Sequence, residues 1–223
     1  MKDFKNIVII PARGGSKRLP NKNLQQLGGT PLIVHSINYA KTNKVNKIVV
    51  TTDDIKIKKI ALKNGVEVID RPKELSGDSA TTVSALKHVL QNLDETFDNV
   101  VLLQPTNPLR PANLLKEAFH IFNEGNYDSL MTVSRNYQKL GKIINNKFEP
   151  FNYKIGQRSQ DLEPLYFENG LLYITKAALI FEDKILGKNN FPFIVNHTFA
   201  NVDIDTKDDF EYAEYLMSRL RST

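Results

Sequence analysis

Four consecutive apolar residues, Ile7-Val8-Ile9-Ile10, open the most constraining stretch of the chain, IVIIPARGGSKRLPNKN from Ile7 to Asn23. A β-branched run with no polar alternation leaves no face for solvent. It fits a strand covered on both sides, as in a parallel sheet sandwiched by helices. Pro11 ends the run, and Gly14-Gly15, the hydroxyl of Ser16 and the cations Arg13, Lys17, Arg18 and Lys22 follow. Glycines allow backbone N–H groups close to phosphate, and cations neutralise its charge. The spacing matches neither the Walker A loop nor the G-x-G-x-x-G dinucleotide fingerprint. A passive basic loop is the plain alternative. Four cations clustered after a buried strand favour a phosphate site, because ligands of open α/β sheets bind at that end.

Downstream, apolar runs alternate with helical periodicity, which predicts an α/β fold with a mainly parallel sheet. Helices are expected over 31–42, 55–64, 83–90 and 113–124, the second stopped by Gly65 and the last by Gly125. Strands are expected over 47–51, 66–69, 99–103, 129–133, 170–175 and 199–204. Thr206-Lys207-Asp208-Asp209 resembles a capping box that opens a final helix. Between Arg135 and Glu168 periodicity weakens and polar residues accumulate. A loop that long within one domain is usually functional or an interface. It is read as an excursion with a short β-hairpin at Asn145-Asn146, inside a single domain spanning 1–223.

Composition narrows the function classes. The net charge of +5 suits anionic ligands. Acids and bases are interspersed, without the basic-aromatic blocks of a nucleic-acid reader, so no nucleic-acid partner is expected. Cysteine is absent, which removes disulfides and thiolate metal sites. No window approaches the ~18 apolar residues of a membrane span. Charges at Lys2, Asp3 and Lys5 before a short apolar run argue against a signal peptide, and a cytoplasmic protein is expected.

Polar groups recur where strands should end: Arg13, Asp53, Arg71, Gln104, Asp203 and Asp205. Gathered on one rim, cations and carboxylates suit a triphosphate with a hard divalent cation. Asp203 and Asp205, two apart in a strand, would share a face. The competing reading has Asp205 capping the last helix and Asp203 solvated. The four histidines are dispersed, and no Ser-His-Asp set is evident.

Six segments occur in order: ARGGSKRLPNKN (12–23), RPKEL (71–75), SGDSATT (76–82), LLQPTNPLR (102–110), ENG (168–170) and DIDT (203–206). Together they resemble the acylneuraminate cytidylyltransferases, or CMP-sialic acid synthetases, and their relatives for legionaminic and pseudaminic acids. The resemblance covers essentially the whole chain. It implies a Rossmann-like three-layer α/β/α sandwich of the nucleotide-diphospho-sugar transferase type, as a homodimer. It implies CTP and a nine-carbon 2-keto-3-deoxy sugar acid as substrates, with Mg²⁺ or Mn²⁺ as cofactor. The sugar's anomeric hydroxyl would attack the α-phosphate and expel pyrophosphate. Such displacement depends on positioning and charge neutralisation more than on a covalent nucleophile.

Carried onto this sequence, the resemblance assigns nucleotide binding to Ala12, Arg13, Ser16, Lys22, Asn23, Arg71, Ala80 and Thr82. Arg13 and Lys22 would stabilise charge on the α-phosphate and leaving group. Gln104 matches a sugar-binding glutamine, and Asp203 and Asp205 match the metal carboxylates, Asp205 being counted as catalytic. Arg158, in QRSQD, matches a family arginine that would meet the sugar carboxylate from the dimerisation excursion over 135–168. Ser159 stands where the family has a second arginine. Lys142, with Lys139 as the alternative, matches a lysine that approaches the sugar. The first loop departs from the ARYxSTRLPGKPL pattern of the 3-deoxy-manno-octulosonate cytidylyltransferases. A nucleotidyltransferase for that eight-carbon acid, or a non-catalytic nucleotide-binding module, are the alternative readings.

Overall fold

A computed structural model describes residues 4–43 and 45–220. Lys2 and Asp3, read above as part of a charged N-terminus, lie outside the described residues. The first half runs β1 (Asn6–Pro11), β2 (Gln26–Leu27), β3 (Thr30–Pro31), α1 (Leu32–Thr42), β4 (Lys47–Thr52), α2 (Ile55–Lys63), β5 (Glu67–Asp70), α3 (Thr82–Gln91), β6 (Asn99–Leu102) and α4 (Leu114–Glu124). The second half runs β7 (Ser129–Asn136), β8 (Gly141–Ile144), β9 (Lys147–Pro150), β10 (Leu165–Lys176), α5 (Ala177–Phe181), β11 (Asn190–Ile194) and α6 (Lys207–Leu220).

Seven strands form one sheet in the order β11-β7-β10-β6-β1-β4-β5. β1 is central and pairs in parallel with β4 and β6. Its residues alternate between two cores. Val8 and Ile10 pack with Ile33 and Ile37 of α1, Ile57 of α2 and Leu115 and Phe122 of α4. Ile7 and Ile9 face Leu86 and Val89 of α3 and Ile180 of α5. All four are fully buried, as the apolar run requires. Helices on both faces of the sheet make three layers, α/β/α.

The chain leaves β1 for β4 on one side and later returns to β6 on the other. β1 therefore lies at the topological switch point, and the loop after it occupies the crevice where such sheets bind ligands. A third core joins Leu19 of that loop, Leu27 and Leu109 to Phe199, Val202, Ile204 and Phe210, Ala213 and Leu216 of α6. It fastens the DIDT segment beside the first loop.

The sheet is mainly parallel as expected, but one expected strand is absent and two features were not foreseen. The sheet is parallel except for β10, which runs antiparallel to both β6 and β7. The segment 199–204 is not a strand. It holds a 3₁₀ turn, Thr198–Asn201, and an extended stretch whose Phe199, Val202 and Ile204 side chains enter the third core instead. The unforeseen strand is β11, parallel to β7 at the sheet's edge, where Pro192 is tolerated.

The excursion carries the expected hairpin. Ile144 pairs with Lys147, leaving Asn145-Asn146 as a two-residue turn with φ of 50° and 61°. Asparagine accepts that left-handed conformation, and the turn's twist matches its strands. The capping box at α6 also forms: the Asp209 carboxylate accepts from the Thr206 N–H and hydroxyl, and the Asp209 N–H donates to Thr206 Oγ1.

Candidate active site: two cavities meeting at Asp205

The loop after β1 is built by close contacts. The Gly14 N–H donates to Asp53 at 2.9 Å. A Cβ on Gly14 would lie 2.8 Å from the Cβ of Asp54, so the loop cannot approach the end of β4 with a larger residue. Asn23, buried, donates its amide to the Arg13 carbonyl and closes the loop on itself. Leu19 anchors it to α6 through the third core.

This loop walls a cavity of about 510 Å³. Arg13, Ser16, Lys22, Asn23, Arg71, Ala80, Thr82, Gln104 and Asp205 all line it, so nine expected site residues converge from five separate segments. Lys17 and Arg18 add two further cations to its wall. Ala80 and Thr82 arrive at the first turn of α3, where Thr81 caps the helix by accepting the Ser84 N–H. That helix end adds partial positive charge to the wall. Arg71 is buried, donates to the Thr51 carbonyl and leaves Nε without a partner. Desolvation lowers its pKa to about 10, so it stays charged near neutrality. Ala12 does not line the cavity. It is buried behind the wall, and its N–H donates to the Thr51 carbonyl.

Acids partner the cations. Asp78 meets Arg13 at 3.2 Å and Lys17 at 2.5 Å. Asp205 meets Arg18 at 2.5 Å and Lys22 at 2.8 Å. The Lys22 ammonium, nearly buried, also donates to the Ile204 carbonyl. An ammonium has three donors, so one remains for a ligand in the cavity.

A second cavity of about 330 Å³ shares Gln104, Thr106 and Asp205 with the first. Its remaining lining is Asn107, Glu168, Asn169, Gly170, Tyr173 and Asp203. Here the reversal of β10 matters. Running against β6, it brings its N-terminal half, with ENG, to the rim where the parallel strands end. Asn107 ties its own segment to ENG and to the residue just before DIDT: its amide donates to the carbonyls of Asn169 and Val202. Gly170, with φ of +73°, leaves room for it; a Cβ there would stand 2.7 Å from Asn107 Oδ1. Arg110, buried, fixes Gln104 by donating to its carbonyl, and also bonds the Leu171 carbonyl and Ser36. Burial lowers its pKa to about 10, leaving it cationic. The roles of Arg110 and Asn107 were not read from the sequence, although both stand in LLQPTNPLR. Apart from Gln104, their partners lie some 60–95 residues away in sequence.

Asp203 and Asp205 both face the second cavity. Partial desolvation and then the Asp205 carboxylate push the Asp203 carboxyl above its usual range, against a hydrogen bond with Thr106. Two such carboxylates suit a hard cation. No group of three or more acidic or histidine side chains able to hold a metal occurs among the described residues. A hard cation held by this pair would complete its shell with phosphate oxygens and water.

Arg158 and Lys142 are not brought to either cavity. Arg158 is exposed and paired with Asp161, and Lys142 lies over the Phe151 ring on the exposed hairpin β8–β9. Lys139 likewise lies over Tyr153.

With this geometry in view, residues 7–221 match the family model for cytidylyltransferases. The chain belongs to the cytidylyltransferase family. It is 35% identical to a pseudaminic acid cytidylyltransferase of Campylobacter jejuni, over 96% of both chains. It is also 35% identical to a CMP-N,N'-diacetyllegionaminic acid synthase of Legionella pneumophila, over 95% of each. Identity to an N-acylneuraminate cytidylyltransferase of Streptococcus agalactiae is 35% over 93% of this chain; there the chain spans about half of the relative's length, 52%. Among solved structures, a CMP:2-keto-3-deoxy-manno-octonic acid synthetase complexed with CTP superposes with TM-score 0.72. That match has 18% identity and covers 96% of this chain and 99% of the other. A 4-diphosphocytidyl-2C-methyl-D-erythritol synthase from Anaerococcus prevotii gives 0.66 at 15%. At these identities the structural likeness speaks for the fold alone, a three-layer α/β/α sandwich. No helix among the described residues is long and apolar enough to cross a membrane.

Proposed function

We propose that this cytidylyltransferase family member activates a nonulosonic, sialic-acid-like sugar with CTP, giving the CMP-sugar and pyrophosphate. One observation carries the reading: a cation-walled cavity and an acid-lined cavity meet at Gln104, Thr106 and Asp205. Triphosphate belongs in the first and the acceptor in the second, with the reacting atoms where they join. The acceptor's anomeric oxygen bonds to the α-phosphorus, the bond from that phosphorus to the bridging oxygen breaks, and the hydroxyl proton is lost. Arg13 and Lys22 offset the charge that develops on the α-phosphate and leaving group. Ser16 and Asn23 orient the nucleotide, while Arg71, Ala80 and Thr82 read its base. Gln104, braced by Arg110, positions the acceptor. Asp203 and Asp205 would hold Mg²⁺ or Mn²⁺, which supplies Lewis-acid polarisation of phosphate oxygen when bound. The whole chain, 1–223, serves as one catalytic unit, in the cytoplasm where CTP is available.

The acceptor is an anion, yet among the described residues the second cavity is lined by three carboxylates and no cation. Arg158 and Lys142 stand on an excursion that exposes Tyr137, Ile143, Phe148, Phe151 and Ile155, each more than half accessible. Apolar exposure of that extent suits an interface. In a homodimer the excursion of one copy would cover this surface and carry Arg158, with Lys142 or Lys139, to the acceptor cavity of the other.

The test is pyrophosphate release from CTP and Mg²⁺ with N-acetylneuraminic, legionaminic, pseudaminic and 3-deoxy-manno-octulosonic acids. Release with a nine-carbon acid, abolished by Asp205→Ala, is expected. Release with the eight-carbon acid alone moves the enzyme to that substrate. CTP binding with no release from any acid leaves a nucleotide-binding module and refutes the activity.

A further inference from the structure

The ENG segment contributes a side chain that the reaction outlined above does not use. Glu168 lines the second cavity, and one of its carboxylate oxygens accepts the Tyr173 hydroxyl at 2.9 Å. The pairing of β10 with β7 shifts register between Glu168 and Tyr173, around the left-handed Gly170. In a regular strand residues five apart point to opposite faces. The irregularity cancels that offset and turns both side chains into the same cavity, as bulges beside active sites do.

Most side-chain donors around Glu168 are committed, the Gln104 amide standing where the two cavities join. The Asn107 amide is spent on Asn169 and Val202, one Asn169 amide hydrogen on Ser134, and the Thr106 hydroxyl on Asn107 or Asp203. The Tyr173 hydroxyl proton is spent on Glu168. What this wall offers is acceptors: the second oxygen of Glu168 and the lone pairs of Tyr173. Negative charge at Glu168 also repels the acceptor's own carboxylate from this end of the cavity.

We infer that Glu168 is a specificity-determining residue that orients the acceptor by accepting a hydrogen bond from one of its neutral donors, a hydroxyl or an acylamino N–H. Tyr173 is the positioning residue that holds the Glu168 carboxylate in place. The inference rests on the activity proposed above. It adds that the sugar enters with its carboxylate away from Glu168 and its donor-bearing end toward it.

The experiment is steady-state kinetics of Glu168→Gln and Tyr173→Phe on the full chain, with the acceptor that the wild type turns over and with deoxy or N-deacylated analogues. Glu168→Gln keeps an acceptor oxygen but loses the charge that roughly doubles the strength of such a bond, so it should raise the acceptor KM about fivefold. The KM for CTP should stay unchanged and kcat should change little. Tyr173→Phe should give a smaller rise that disappears in the Glu168→Gln background. One analogue, the one lacking the donor that Glu168 meets, should be indifferent to the substitution. An unchanged acceptor KM, an equal rise in the KM for CTP, or equal penalties on every analogue would each overturn the inference while leaving the activity standing. Wild-type protein that turns over none of the acids removes the activity, and the inference with it.

Discussion

Replacing Gly170 with alanine separates backbone strain from steric collision, because the chain carries its own control. Gly170 and Gly29 have similar left-handed backbones, φ of +73° and +83°. A Cβ at Gly29, in the turn between β2 and β3, meets nothing within 4 Å. A Cβ at Gly170 falls 2.7 Å from Oδ1 and 3.1 Å from Cγ of Asn107. That amide cannot swing aside cheaply, since it is buried and donates to two carbonyls, those of Asn169 and Val202. Gly29→Ala should cost only the strain of a left-handed L-residue, about 1 kcal/mol. Gly170→Ala incurs the same strain and also breaks or distorts two buried hydrogen bonds. Each acceptor left unpaired costs about 1–3 kcal/mol, so the total is roughly 3–7 kcal/mol. Urea unfolding followed by far-UV circular dichroism measures both. With a slope near 2 kcal/mol/M, the midpoint should fall by about 0.5 M for Gly29→Ala and by at least about 1.5 M for Gly170→Ala. Because Asn107 joins the walls of the second cavity, Gly170→Ala should also raise the acceptor KM more than that for CTP. Equal midpoint shifts for the two variants would refute the claim that Asn107 fills the space left by the missing Cβ.

Three further outcomes follow from single contacts. Thr81→Ala removes the cap on α3 and should destabilise the fold by about 1 kcal/mol, read as a midpoint shift, with Thr81→Ser largely restoring it. His35 sits partly buried with its Nε2 at the Leu27 carbonyl, and desolvation holds its pKa below 6.5. The unfolded state therefore takes up the proton first as pH falls. Stability should decline below about pH 6.5 until the folded-state pKa is passed, and His35→Gln should flatten that window in thermal melts at stepped pH; an unaltered slope would exclude His35 as its source. Arg110→Met leaves the carbonyls of Gln104 and Leu171 without their buried donor and should cost about 3 kcal/mol or more, with the acceptor KM rising through displaced Gln104. A stability loss with unchanged acceptor KM would mean that Gln104 is held by the rest of its loop.

What could be read from the residues was local. Ile7–Ile10 has no polar alternation, and burial on both faces follows from that alone. Asn145-Asn146 supplies a left-handed turn pair, and Thr206 with Asp209 supplies a reciprocal cap, so hairpin and helix start were legible within a few residues. The family motifs then pointed to the residues of the first cavity. The direction of β10 was not legible, because an apolar strand reads the same whichever way it runs. Nor could Phe199–Ile204 be distinguished from a strand; its apolar residues are buried by α6, and only packing against Leu19 and Leu109 decides that. β11, with Pro192 and alternating exposure, has the weak signal of an edge. The two cavities arise from contacts far apart in the chain: Lys22 with Ile204, Asn107 with Val202, and Arg110 with Leu171. Hydrophobic periodicity and turn chemistry act over a few residues, so the sequence by itself determined most of the elements and the basic glycine loop after β1. Reversal of one strand, and the hydrogen bonds that join four loops at its end, depend on which surfaces meet when the three layers close, and only the tertiary structure decided them.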